Sequence, residues 1–282
     1  MKRKSIQFAF VLSLLCFCTA HLLVFCSSQE LYVETNSIES VKEYIDDGDT
    51  LVVFDLDQTV FETAQALGGD EWFYHALQRE QERGVPFEEA LQTILTKYTH
   101  FQMVVKMQPV ESVTSELIKE LQEAHTPIIS LTTRGYEVIR GTMKHLKGMD
   151  IDFSVTAPSC PNCIQDHVFM QKEPIFYHKG ILFTAGDNKG LVFEQLLTHT
   201  HYLPKKVVFI NDKLSPLESL GHACQKLGID FVGLRYGYLD EKMKNFNMEL
   251  ADIQQEDCER PGLTDVEAMV ILNERCSSRD GK

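Results

Sequence analysis

Two aspartates stand two positions apart at the end of an apolar run, Asp55 and Asp57 in "LVVFDLDQT", with Thr59 just behind. A buried carboxylate without a partner is costly, and a second like charge beside it adds to the cost. The pair requires a cation, a proton or a tolerated strain. Further along, Thr132, Thr133 and Arg134 follow a second apolar run, Lys189 lies in "GDNKG", and Asp212 closes "FIND". A hard dication such as Mg²⁺ takes oxygen ligands, commonly one or two carboxylates with water and substrate phosphate. Asp55 and Asp212 can supply them, and the ion would keep both ionised. An ionised Asp55 is a possible nucleophile toward phosphorus. Asp57 could protonate the leaving oxygen and afterwards deprotonate water. Thr132 and Lys189, with Thr133 next to Thr132, would hold phosphoryl oxygens.

These residues meet only if the right elements carry them. Apolar runs at 51–54, 128–132, 206–210 and 231–234 read as buried strands, with a further short strand expected at 153–155. Helices are expected near 37–44, 113–124, 137–146, 190–198 and 216–227, and a hairpin or loop excursion near 176–186. Strands apolar throughout and separated by helices indicate a doubly wound, Rossmann-like α/β fold with a parallel sheet covered on both faces. Ligands in such folds bind beyond the carboxyl ends of the strands. Asp55, Thr132 and Asp212 all follow strands, and Lys189 opens the helix before the fourth. Residues two apart on an extended backbone face one side, so Asp55 and Asp57 can look into one pocket. A lone aspartate after a strand is ordinarily a cap or a turn; the joint pattern carries the weight.

In this order and spacing, "DLDQT", Thr132, Lys189 and "FIND" resemble the four motifs of the haloacid dehalogenase superfamily, over roughly 50–240. Closer in, "YHKGILFTAGDNKG" and "EWF" resemble a bacterial branch, domain of unknown function 2608, with a likeness also to the secreted acid phosphatases of the superfamily. The resemblance implies Asp55 as nucleophile and Asp57 as acid and base. It also implies Mg²⁺ held by the Asp55 side chain, the Asp57 backbone carbonyl and Asp212, with Thr132 and Lys189 on the phosphate. Members that cleave carbon–halogen bonds lack the second aspartate, so Asp57 favours phosphoryl transfer. Asn211 stands where motif four often has an acid, which puts metal affinity in question; Glu218 is a candidate further acid.

The implied domains are a core over 29–62 and 107–245, a small helical cap inserted after the first strand over 63–106, and a C-terminal helical tail over 246–282. The cap aromatics Trp72 and Phe73 either pack a seam or stack on substrate. Arg134 either meets a substrate anion or pairs with a carboxylate. The expected function is hydrolysis of a phosphorylated small molecule or phosphoprotein. The alternatives are a catalytically weak binding protein on the same fold, and phosphonate chemistry through a cap lysine, Lys97 or Lys106.

The first 28 residues begin with Lys2, Arg3 and Lys4, continue apolar from about Phe8 to Phe25 and end small. That is the anatomy of a secretory signal, which implies a periplasmic or secreted protein; left uncut, the segment would be a membrane anchor. The net charge of −14, with no basic run beyond those first residues, excludes a nucleic-acid partner. Hydrophobic content of 44% and charged content of 24% argue for a packed globular chain rather than disorder. Cys160 and Cys163 in "CPNC" have the spacing of a disulfide, of half a zinc site with His167, or of a thiol-exchange motif. Cys258 and Cys276 are a possible pair across the tail.

Overall fold

The computed structural model describes residues 29–46, 49–159, 167–170, 174–256 and 262–280. The signal-like segment, Cys160, Cys163 and Cys258 lie outside them. The described strands are β1 (Glu30–Thr35), β2 (Thr50–Phe54), β3 (Phe61–Thr63), β4 (Met107–Pro109), β5 (Ile128–Thr132), β6 (His167–Met170), β7 (Pro174–His178), β8 (Ile181–Phe183), β9 (Lys206–Asn211) and β10 (Asp230–Tyr236). The helices are α1 (Asp70–Glu82), α2 (Phe87–Val104), α3 (Thr114–Glu123), α4 (Ile139–Gly148), α5 (Lys189–Thr200), α6 (Leu214–Leu227), α7 (Asp240–Lys244), α8 (Met248–Glu256) and α9 (Asp265–Asp280). A 3₁₀ helix spans Ile38–Tyr44.

The main sheet runs β1-β10-β9-β2-β5-β8-β7-β6. The six strands from β1 to β8 are parallel, and β7 and β6 add an antiparallel edge. Strand alternation divides the core between the two faces. Val52, Phe54, Ile128, Val208 and Ile210 pack with the 3₁₀ helix, α3 and α4. Leu51, Val53, Ile129, Val207 and Phe209 pack with α5 and α6. Both faces are covered, which is why these strands read as unbroken apolar runs. From β2 the chain moves to β5 and β8 on one side, then returns to β9 and β10 on the other. β2 therefore lies at the switch point, where the diverging connections leave a crevice.

Three elements differ from the sequence expectation. No strand forms at 153–155. Phe153 is buried in a turn, its ring 6.1 Å from that of Phe54. The place beside β5 goes to β8, which a two-residue turn at Lys179–Gly180 returns from β7. Both turn residues have positive φ (48° and 75°), the requirement of a type I′ hairpin. A Cβ at Gly180 would fall 2.4 Å from the Phe153 carbonyl oxygen, so glycine also lets the hairpin cross the turn. The third difference is β1, an unexpected edge strand that pairs with β10. Its burial is only partial, so it shows no continuous apolar run.

Between β3 and β4, which pair as a two-stranded ribbon, the chain leaves the core and forms the antiparallel-connected helices α1 and α2. Leu67, Trp72, Ala76 and Ile94 pack there against Ala251 of α8, so the tail shares the core of this insertion. Among the described residues no helix is long and apolar enough to cross a membrane.

Candidate active site

The ends of β2, β5 and β9 are adjacent, and each delivers polar side chains to the same edge. Asp55 is 7% exposed at the end of β2. Its Oδ1 accepts from Lys189 Nζ at 2.8 Å and from the Leu56 amide at 2.9 Å. Oδ2 accepts from no described donor. Burial raises the Asp55 carboxyl above its ordinary range, against the pull of Lys189. Lys189 begins α5, behind an Asn188 cap whose side chain accepts from the Leu191 amide. Gly190 seats that helix start: a Cβ there would fall 2.1 Å from the Ser219 carbonyl oxygen of α6.

Beyond Asp55 the chain turns sharply. Gln58 holds φ at 59°, and the Leu56 carbonyl accepts from the amides of Val60 and Phe61 at 2.9 and 3.1 Å. Phe61 also accepts from the Gln58 amide at 2.9 Å. These bonds bracket Asp57 and leave its own carbonyl out of the bridge.

Asp57 is gripped at both carboxylate oxygens by Arg134, from Nε to Oδ2 at 2.8 Å and from Nη2 to Oδ1 at 2.7 Å. The guanidinium also donates to Thr142 at 3.0 Å and to Gln102 Oε1, and it stacks 4.8 Å from the Phe61 ring centroid. Arg134 therefore pairs with a carboxylate, which decides between its two readings. Gln102, on α2 of the insertion, ties the arrangement back to the Gly68 carbonyl at 2.6 Å.

Asp212 follows β9, its side chain 11% exposed. Its ion pair is a long one, 3.9 Å from Lys213 Nζ. Burial, then the Asp55 charge, pushes its carboxyl up to about 8. Lys213 bonds instead to Asp70 at the start of α1, at 2.7 Å, and Tyr98 donates to the same carboxylate at 2.9 Å. Burial alone would raise Asp70, but Lys213, Tyr98 and Arg134 outweigh it and hold the carboxyl below its usual range.

Thr132 is fully buried, and its hydroxyl accepts from the Arg134 amide at 3.2 Å. Thr133 is exposed; its carbonyl accepts from Gly186 at 3.0 Å, which stitches the loop after β5 to the loop after β8. Asn211 turns away from the acids, its Oδ1 capping the Lys213 amide at 2.8 Å. Glu218 is exposed and its charge acts on Tyr32 rather than on Asp212; the further acid acting on Asp212, besides Asp55, is Asp70. Trp72 is 1% exposed, its ring edge-on to Phe101 at 5.0 Å, and Phe73 meets Tyr74 and Tyr98 edge-on. Both aromatics pack the seam of the insertion. Lys97 and Lys106 are exposed, so neither has the apolar surroundings that would activate an amine.

Asp70, Lys213, Gln102 and Gln58 are the site residues that sequence reading passed over. Only Lys213 carried a signal, standing directly behind "FIND". The others come from the inserted segment and the turn, and their positions depend on how the insertion folds back.

A hard dication fits this donor set. The Asp57 carbonyl is left out of the turn's hydrogen bonds, Asp212 has one distant cation, and the raised Asp212 carboxyl marks a place short of positive charge. Among the described residues no three His, Cys, Asp or Glu side chains form a ready cage. Water and substrate oxygens would have to complete the shell, as is usual for Mg²⁺.

Fold and site define a mixed α/β protein with paired carboxylates and a buried lysine where its parallel strands end. The chain belongs to the family described as "Protein of unknown function (DUF2608)", whose model matches residues 34–265. It is 28% identical to a Chlamydia pneumoniae protein named "Putative outer membrane protein", over 73% of this chain and 76% of that one. A Chlamydia trachomatis protein of the same name is 24% identical, over 68% of this chain and 70% of the relative. No solved structure matches.

Proposed function

We propose that this chain is an exported, Mg²⁺-dependent phosphomonoester hydrolase of the haloacid dehalogenase type, working through an aspartyl-phosphate on Asp55. The observation that carries the reading is the pairing at Asp55. One oxygen is fixed by Lys189 and the Leu56 amide, and the other is uncommitted at the sheet's switch point. That leaves one oxygen atom aimed and free to attack. An Oδ2–phosphorus bond forms as the bond from phosphorus to the ester oxygen breaks; Asp57, a carboxylate in its Arg134 pair, must first take up a proton from solvent and then gives it to the departing oxygen. Water then attacks the phosphorus of the acyl phosphate, Asp57 takes the water's proton, and the bond to Asp55 breaks. Lys189 and the Thr132 hydroxyl would hold phosphoryl oxygens while charge develops on them. Arg134 orients Asp57 without touching substrate. The metal would be held by Asp212, the Asp57 carbonyl and Asp55 Oδ1, the oxygen that Lys189 gives up when it turns to the phosphate, and would neutralise phosphoryl charge.

The names of the chlamydial relatives agree with export, as does the signal-like segment. The runner-up, a binding protein with little turnover, draws on the same Arg134 clamp, because both Asp57 oxygens are engaged. Hydrolysis of p-nitrophenyl phosphate by the mature protein separates the two. Activity lost with EDTA, restored by Mg²⁺ and abolished in Asp55→Asn supports the hydrolase. Full activity in Asp55→Asn overturns it.

A further inference from the structure

Next to Asp57, the insertion and the tail line a cavity of about 240 Å³ whose walls do not include Asp55 or Lys189. Its walls come from the segment between Asp57 and Glu71, from Gln102, and from tail residues between Lys242 and Leu250 together with Asp265 and Met269. Most of the acids around it are already neutralised. Asp57 is paired with Arg134, Asp70 with Lys213, and Glu62 with Lys242. Glu71 and Asp265 are different. Glu71 accepts only from the neutral Gln58 amide, at 3.0 and 2.8 Å. Asp265 accepts from the Ala66 amide at 2.7 Å and from Gln254 at 2.8 Å. Neither has an ammonium or guanidinium group within ion-pair distance among the described residues. The cavity therefore holds two carboxylates without a direct ion pair, although the more distant Lys213 charge still acts on Glu71.

A separate feature points to a ligand. Gln65 lines the same cavity and is only 5% exposed, yet its side-chain amide bonds to nothing among the described residues. Its polar atoms face the cavity space, where a bound polar group could take the place of water. Met243, Phe246 and Leu250 supply apolar wall between these polar points. The Glu71 carboxyl is raised by its burial and by the Asp70 charge, so a cation placed there would relieve a strain already present.

We propose that this cavity binds the alcohol half of the phosphoester, and that this half is a small organic ammonium group, making the substrate a phosphorylated amino alcohol. The inference rests on the hydrolase reading above. Asp57 belongs to both places, so the proposal assigns the phosphate to the cationic end at Lys189 and the ammonium to the anionic end at Glu71 and Asp265. A zwitterionic ester matches both ends, and a phosphorylated alcohol without the amine matches one. The volume falls below the roughly 300–1,000 Å³ of pockets that take drug-sized ligands, which favours a small substrate.

The test compares phosphoethanolamine with propyl phosphate, an isostere that keeps the phosphate and lacks the ammonium, on the mature protein with Mg²⁺. kcat/KM is expected to favour phosphoethanolamine by about tenfold or more, the effect of one partly buried charge pair. In Glu71→Gln that ratio is expected to fall toward unity. Equal kcat/KM values for the two esters, or hydrolysis of p-nitrophenyl phosphate with neither ester accepted, overturn the inference and leave the hydrolase standing. If no ester at all is turned over, the hydrolase reading fails. The cavity is then decided by saturation-transfer NMR with ethanolamine and, as control, propanol. Ethanolamine contact that weakens in Glu71→Gln supports the ammonium site, and no contact by ethanolamine refutes it.

Discussion

Arg134 and Asp57 offer a test that needs no substrate. Their side chains are 3% and 19% exposed and share two charge-assisted hydrogen bonds of 2.8 and 2.7 Å. Arg134→Met keeps most of the apolar stem and leaves Asp57 without its cation. Stranding one member of a buried pair costs about 3–5 kcal/mol. The residual exposure of Asp57 places the expected value near the lower figure, about 3 kcal/mol. At this chain length that is roughly 6–12 °C in Tm. Asp57→Asn strands the arginine instead and should cost a similar amount. In the double variant neither charge is stranded. Thr142 and Gln102 lose their donor in the Arg134→Met variant and in the double variant alike, so that loss cancels in the cycle. Urea unfolding of the four proteins should give a coupling energy of about 2–3 kcal/mol. If the single effects simply add, to within about 0.5 kcal/mol, the clamp is not an energetic unit and the positioning role assigned to Arg134 falls.

Asp70→Asn removes the charge that Lys213 holds at 2.7 Å and should loosen the insertion from the core, seen as faster amide exchange across α1; unchanged exchange would mean the contact does not dock it. Gly190→Ala drives a Cβ to within 2.1 Å of a backbone oxygen and should cost at least about 1–3 kcal/mol of stability, with a fall in any activity that depends on Lys189; a neutral result would mean that α5 and α6 separate freely. His145 is pulled down to about 4 by burial and by Arg134, whereas in the unfolded chain it titrates near ~6.5. The unfolded state then binds the proton first, so stability should fall as pH drops from about 6.5 to about 4, by no more than about 3 kcal/mol. His145→Gln should flatten that segment of the pH profile, and an unchanged slope would remove His145 as its source.

The sequence by itself determined the parallel layers and the residues at the strand ends. The reason is local: a strand buried on both faces must be apolar at every position, and its run stops where the chain reaches the crevice. Asp55, Thr132 and Asp212 were therefore legible from where apolar runs ended, and Lys189 from the helix start behind "GDN". Which strand fills the slot beside β5 was not legible. The segment 153–155 and β8 are both short and apolar, and only the type I′ hairpin at Lys179–Gly180 gives β8 the place. The partners of the site acids were also decided by the tertiary structure. Arg134 had two equally open readings until its guanidinium met Asp57. Asp70 and Gln102 reach the site through an insertion whose path back to the core is written in no single motif. The cavity beside Asp57 exists only because the tail folds over that insertion, bringing the segment 58–71 to residues 242–250, Asp265 and Met269. A charge pattern along the chain shows which acids are present. It cannot show which of them find cations, because that depends on distances set by packing across segments far apart in sequence.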